Sequence, residues 1–405
     1  MGSRSLIASM LLAAAVATPS RAQQFQGAEI ARANAGFAFD LYGELRKSES
    51  GNFFYSPHSI SSALGMTMAG ARGQTAGEMA RTLRYDALGD RVHPLAEALG
   101  DELAKRENVR GERGDPFRLR VSNALWGQID HEFRPEFVEL LGKHYGAALR
   151  SLDFVQDPDG SRKTVNAAIE EATEGKIRDL LQPPDVTDET RLVLTNAIYF
   201  KASWAEEFPA GRTQVGAFHR KDGTAVDVPF MGRTDGFLHA EQDGLTAIDL
   251  PYLGGEVTML VLMPAEGTFD EFETSLDSKR LEAIVGSLGG RQVDLALPKF
   301  EMRSRFGLGE VLQDLGMKSA FDPDAADFSG MDGTRNLFIG AVVHQSFVRV
   351  DEKGTEAAAA TAVVMKAESM PAEPIEVRID RPFVFLVRDR TTGAVLFAGR
   401  VLDPK

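Results

Sequence analysis

The groups in this 405-residue chain that could carry covalent or metal chemistry are few and badly spaced for it. A serine nucleophile on a sharp strand-to-helix elbow needs a glycine two residues before it and two after. The nearest approach, Gly286-Ser287-Leu288-Gly289, has its first glycine adjacent to the serine. A zincin helix needs two histidines four residues apart so that both reach one ion, and His131-Glu132 has no such second histidine. Asp322, Asp324 and Asp327 have some of the character of a calcium loop, but the third acid is displaced and no turn glycine follows it. Neither glycine pattern that cradles nucleotide phosphates is present, and the seven histidines are scattered. There is no cysteine, which removes disulfides, thiolate nucleophiles and thiolate metal sites together. The expectation is a protein without catalytic residues, metal or cofactor.

The elements that would position any site run helix-first. Helical periodicity marks Ala28 to Ser48, Ser56 to Met66 and Thr75 to Leu83, with Pro57 suited to a first helical turn. Strand patterns follow at Leu119 to Gln128, Arg191 to Lys201, Thr246 to Leu250, Val257 to Met263 and Gln292 to Leu297. More strands close the chain at Phe338 to Val350, Ile375 to Ile379, Phe383 to Arg388 and Ala394 to Val401, with helices expected at Phe269 to Leu288 and Phe306 to Leu315. This order predicts an α+β fold. No repeat or Pro/Gly/Ser linker divides the chain, so residues 23–405 are expected to form one domain.

Residues 1–22 have the form of a secretory signal. Arg4 is followed by an apolar run from Leu6 to Ala17 and a small-residue site at Ser20-Arg21-Ala22, which would leave Gln23 first. The run is too short to span a bilayer, and no later stretch is long enough. The expected location is therefore extracellular or periplasmic. A formal charge of −14 argues against nucleic acid and anionic membrane as partners. A hydrophobic content of 43% is ample for a core that needs no disulfide staples.

The segment from Gly354 to Lys366 is unusual for a position between strands. It can be read as an Ala-rich helix or a low-complexity linker. With a period of two, one face instead carries Thr355, Ala357, Ala359, Thr361, Val363 and Met365, and the other takes both charges, Glu356 and Lys366. The uncharged face starts small and grows, as suits a strand sliding between two existing strands. Composition alone leaves both readings open.

Several ordered motifs bear on that choice. Asn52-Phe53-Phe54-Tyr55-Ser56-Pro57 with Ser59-Ile60, Leu194-Thr195-Asn196-Ala197-Ile198-Tyr199-Phe200-Lys201 ending at Trp204, and Leu297-Pro298-Lys299-Phe300 come first. Leu315-Gly316-Met317 with Ala320-Phe321, Asp380-Arg381-Pro382-Phe383 and Phe397-Ala398-Gly399-Arg400-Val401 follow in order. Together they resemble the serpin family over about Ala28 to Pro404. The resemblance implies three β-sheets, eight to nine helices and an exposed reactive loop at about 352–374. It implies a monomeric suicide substrate for serine, and by extension cysteine, proteases, which traps the target as a covalent acyl-enzyme when the cleaved loop enters the main sheet. Gly354, Thr355, Glu356, Ala357, Ala358, Ala359 and Ala360 would be the hinge. Ser56, Asn196 and His344 would form a polar shutter beneath the opening sheet, and Trp204 with the Lys299 and Glu352 pair would form the breach at its top.

Family spacing from Glu352 places the scissile bond between Glu368 and Ser369, with Lys366 and Met365 as alternatives because the loop is about three residues longer than a common mammalian one. A glutamate there calls for a target pocket offering positive charge or hydrogen-bond donors. The rival function is a non-inhibitory serpin acting as carrier or chaperone. Its hinge would typically carry bulky or charged residues or proline, against the small residues present here.

Overall fold

Local chemistry sets the first elements. The Ser56 hydroxyl accepts the Ser59 N–H at 3.2 Å, and Pro57 occupies the first helical position where no N–H is needed, so a helix begins at Pro57. The computed structural model describes residues 25–108, 118–147, 149–355 and 373–405. Its helices are α1 Ala28–Ser48, α2 Pro57–Gly70, α3 Gly73–Thr82, α4 Val92–Ala104, α5 Pro135–Tyr145, α6 Pro158–Ala172, α7 Phe269–Thr274, α8 Ser278–Ser287, α9 Gly309–Asp314 and α10 Ser329–Asp332. Its strands are β1 Phe53–Tyr55, β2 Arg118–Gln128, β3 Leu149–Leu152, β4 Leu192–Ser203, β5 Gln214–His219, β6 Ala225–Gln242, β7 Leu245–Pro251 and β8 Val257–Pro264. They continue with β9 Gly289–Pro298, β10 Phe300–Gly307, β11 Ala341–Asp351, β12 Gly354–Thr355, β13 Ile375–Arg378, β14 Phe383–Asp389 and β15 Val395–Val401. None of the described helices is long and apolar enough to cross a membrane.

The main sheet has the order β10-β11-β12-β4-β2-β3. The other strands form one hydrogen-bonded network because β6, 18 residues long, belongs to two sheets. Its residues 225–230 pair with β5, 230–239 with β9 and 238–242 with β7. The three expected sheets are present in this sense, two of them joined through β6. Ten α-helical segments are described against the eight to nine expected, and α7, α9 and α10 have no more than six residues each.

Two expected helices are corrected. The span from Phe269 to Leu288 breaks into α7 and α8, because the Asp277 carboxylate accepts the Arg280 N–H at 2.7 Å and starts a new helix. Phe306 lies in β10, whose strictly alternating burial keeps Phe300, Met302, Ser304 and Phe306 inward, and only Gly309 onward is helical.

The main core joins the large sheet network to α1–α4 and to one face of the main sheet. Every residue of β8, β14 and β15 is buried, which explains their continuous apolar runs. A smaller cluster covers the opposite face of the main sheet, where Val165 and Ile169 of α6 and Ile177 and Leu180 beyond it pack against Trp126, Val193 and Val343. This second cluster spans the two strands at the centre of the sheet.

Candidate functional site

The two central strands, β4 and β11, run parallel and pair from Val193–Ala341 up to Tyr199–Phe347. Above that point they separate, and β12 lies between them, antiparallel to both. Thr355 pairs with Val350 and Ala202, and Gly354 with Asp351 and Ser203. Gly354 is required here for two reasons. Its φ is +146°, and a Cβ would lie 2.2 Å from the Ala202 carbonyl oxygen and 2.6 Å from the Ser203 Cα. Thr355 is fully buried, and its hydroxyl is 2.9 Å from the Tyr252 hydroxyl.

Aromatic packing and an ion pair frame this open end. The Trp204 ring stacks on Tyr252 with centroids 4.6 Å apart, and its indole N–H donates to the Asp351 carbonyl at 2.9 Å. Lys299 Nζ is 2.8 Å from Glu352 Oε2, while the Thr213 hydroxyl donates to Oε1 at 2.7 Å. Burial opposes ionisation of Glu352, but the hydrogen bonds from Lys299 and Thr213 outweigh it and hold the carboxyl below its ordinary value.

The lower end is closed by a buried polar network. The Ser56 N–H donates to His344 Nε2 at 3.2 Å, so that nitrogen is an acceptor; His344 Nδ1 then carries the proton and donates to Asn196 Oδ1. The Asn196 amide donates to the Ser59 hydroxyl at 2.6 Å and to Asn123 Oδ1 at 2.5 Å, and the Ser59 hydroxyl also reaches Asn123 at 2.9 Å. The Ser56 hydroxyl donates to the Leu396 carbonyl at 2.7 Å, tying α2 to β15. Complete burial pushes the His344 pKa down to about 3, which keeps the imidazole neutral. A protonated ring would present an Nε2–H to the Ser56 N–H, donor against donor.

A profile of the family described as Serpin (serine protease inhibitor) matches residues 32–404. This chain belongs to the serpin family. It is 41% identical over 371 residues to a serpin-like protein of Thermococcus kodakarensis, covering 91% of this chain and 84% of that one. It is 36% identical over 387 residues to the leukocyte elastase inhibitor of Homo sapiens, covering 93% and 100%. Among solved structures, human thyroxine-binding globulin complexed with thyroxine superimposes with a TM-score of 0.83 at 29% identity, covering 94% of this chain and 100% of that one.

In this serpin the residues expected to act together are brought together. Ser56, Asn196 and His344 share one hydrogen-bonded network, and Trp204, Lys299 and Glu352 surround β12. Of the hinge, Gly354 and Thr355 are in the sheet; Glu356 to Ala360 lie outside the described residues, as do Met365, Lys366, Glu368 and Ser369 and the signal at residues 1–22. Sequence reasoning missed Asn123, Tyr252 and Thr213 and gave Ser59 no role. Asn123 sits opposite Asn196 in the β2–β4 register, a signal that appears only once the two strands are paired. Among the described residues no group of three or more histidine, aspartate or glutamate side chains is arranged to hold a metal.

Proposed function

We propose that this serpin inhibits serine proteases, and by extension cysteine proteases, as a suicide substrate, trapping the acyl-enzyme by inserting its cleaved loop between β4 and β11. The single observation that carries this reading is that Gly354 and Thr355 already occupy the mouth of that slot. If the inserted loop kept the register of these two residues, Ala357 would come beside Val348 and Phe200, Ala359 beside Ser346 and Ile198, and Thr361 beside His344 and Asn196. All of these neighbours are buried, so the entering face must be small and uncharged, as it is. The protease would supply the nucleophile. Its displacement pulls the acyl bond out of the triad and oxyanion hole, whose alignment deacylation requires.

Glu368–Ser369 is our assignment of the bait bond, with Lys366 and Met365 as the alternatives. Residues 1–22 act as an export signal in this reading, and residues 23–405 work as one monomeric domain. The shutter and breach roles rest on the networks around His344 and Glu352.

The decisive test incubates the protein with a panel of serine and cysteine proteases, scored by SDS-stable complex and by mass spectrometry of the cleaved loop. Ala357→Arg would drive a charge against Val348 and Phe200, so it is expected to cut loop cleanly while complex yield falls by at least tenfold. An undiminished yield from that variant refutes the insertion mechanism. Absence of complex with every protease, and no gain in thermal stability after loop nicking, would favour the carrier or chaperone alternative.

A further inference from the structure

The slot has a roof. α6 and the segment 173–186 beyond it cross the outer face of the main sheet and seal it with a hydrophobic cluster separate from the main core. The strap they form is fastened on both sides of the slot. On the β2 side, Gln128 Oε1 accepts the Phe154 N–H at 2.8 Å, and the Ser161 hydroxyl donates to the Asp153 carbonyl at 3.0 Å. On the far side, β10 turns its exposed face upward: Arg303 Nη1 donates to the Lys176 carbonyl at 2.8 Å and Arg305 Nε to the Leu180 carbonyl at 2.9 Å. Arg305 also pairs with Asp185, and the Arg303 guanidinium lies 4.3 Å from the centre of the Phe347 ring.

One more strand between β4 and β11 moves β10 away from β2 by about 4.8 Å, the spacing of neighbouring strands. Hydrogen bonds of 2.8 to 2.9 Å cannot stretch so far. Either the arginines release the strap or the strap leaves β2. Beneath it the Gln345 side-chain oxygen is buried without a hydrogen-bond partner, so lifting the strap lets water reach it and offsets part of the cost.

We propose that Arg303 and Arg305 are positioning residues that hold this strap over the slot and so set the rate at which a strand enters between β4 and β11. The proposal rests on the insertion reading, but it has a readout of its own. A synthetic peptide matching residues 356–366 is mixed with the intact protein, and its uptake into the sheet is followed by native gel and mass spectrometry.

Arg305→Ala is expected to take up the peptide about tenfold faster than wild type, the order set by hydrogen bonds from one charged group. Arg305→Lys, which keeps the charge but loses the guanidinium fork, should fall between. Asp185→Asn loosens the same tie from the strap's side and should accelerate uptake about threefold, which preserves the test if Arg305→Ala folds poorly. Glu301→Ala, on the same exposed face of β10, is the control and should leave the rate unchanged.

Equal rates for Arg305→Ala, Asp185→Asn and Glu301→Ala overturn the proposal, and no uptake by any form overturns the slot itself. Ready uptake by wild type without any protease complex sinks the inhibitory reading alone.

Discussion

In the proposed insertion, the slot between β4 and β11 would be entered at the end where β12 separates the two strands and resisted at the end where they pair directly. At the top, two residues of chain already pair with both strands, the neighbours are stacked rings, and the polar contacts are single hydrogen bonds and one ion pair whose lysine is 31% exposed. At the bottom, β4 and β11 pair directly, and Ser56, Ser59, Asn123, Asn196 and His344 form a network in which each group answers another. The upper end is held by packing that an entering strand can extend. The lower end is held by hydrogen bonds that must be exchanged, and an unmet buried polar group costs far more than a made bond gains. The contrast teaches that opening should proceed downward, with the His344 network as the last barrier.

The largest expected way to break that contrast is Asn196→Ala. It leaves the His344 Nδ1–H without its acceptor and strips Ser59 and Asn123 of a donor, so a loss of about 3 kcal/mol is expected from urea unfolding. A loss below about 1 kcal/mol would mean that the lower end is not a lock.

Acidification should separate the two ends without mutation. The His344 pKa is depressed from an ordinary 6.5 to about 3, so the unfolded chain binds a proton that the folded one refuses. The stability it protects is complete above pH 6.5 and is lost as pH falls below that value, by about 1.4 kcal/mol per pH unit per proton. Glu352 is depressed below 4.5, so the upper ion pair is constant from pH 6.5 to 4.5 and weakens only as pH falls through its lowered value. Half-buried His58 and His93, each lowered to about 4, contribute in the same direction, and His344→Gln isolates the contribution of His344. Its slope of stability against pH between 4.5 and 6.5 should be smaller by one proton. An unchanged slope would show that the network tolerates a charged ring.

The smallest effect is expected from Lys299→Ala. Glu352 keeps Thr213, and the pair is partly solvated, so a loss of about 1 kcal/mol is expected, visible mainly as faster formation of loop–sheet polymers on gentle heating. A loss as large as that of Asn196→Ala would put the lock at both ends.

The strands were legible where both faces are buried, because β8, β14 and β15 read as apolar runs regardless of context. β6 escaped because its burial alternates over a long span that changes sheets, and its Gly232 and Gly236 interrupt any strand pattern. α6 has only Ser161, Val165, Asn166 and Ile169 buried, too narrow a stripe to stand out. At the site, Trp204 and Lys299 lie in or beside ordered motifs, and Glu352 follows from the resemblance those motifs carry. Asn123 and Ser59 are short polar residues whose burial depends on which strand and helix lie across from them, and one chain read alone does not contain that.

The two rungs formed by Gly354 and Thr355 bear on how molecules of this serpin treat one another. An open slot in a sheet is a pair of unsatisfied edges, the feature by which strands of separate chains associate. Here the mouth of the slot is plugged by the molecule's own chain, so a neighbour's loop must enter below an occupied position or evict it. In the proposed mechanism the two residues that would lead the loop into the sheet thus also cover the edges that a neighbour's strand would seek.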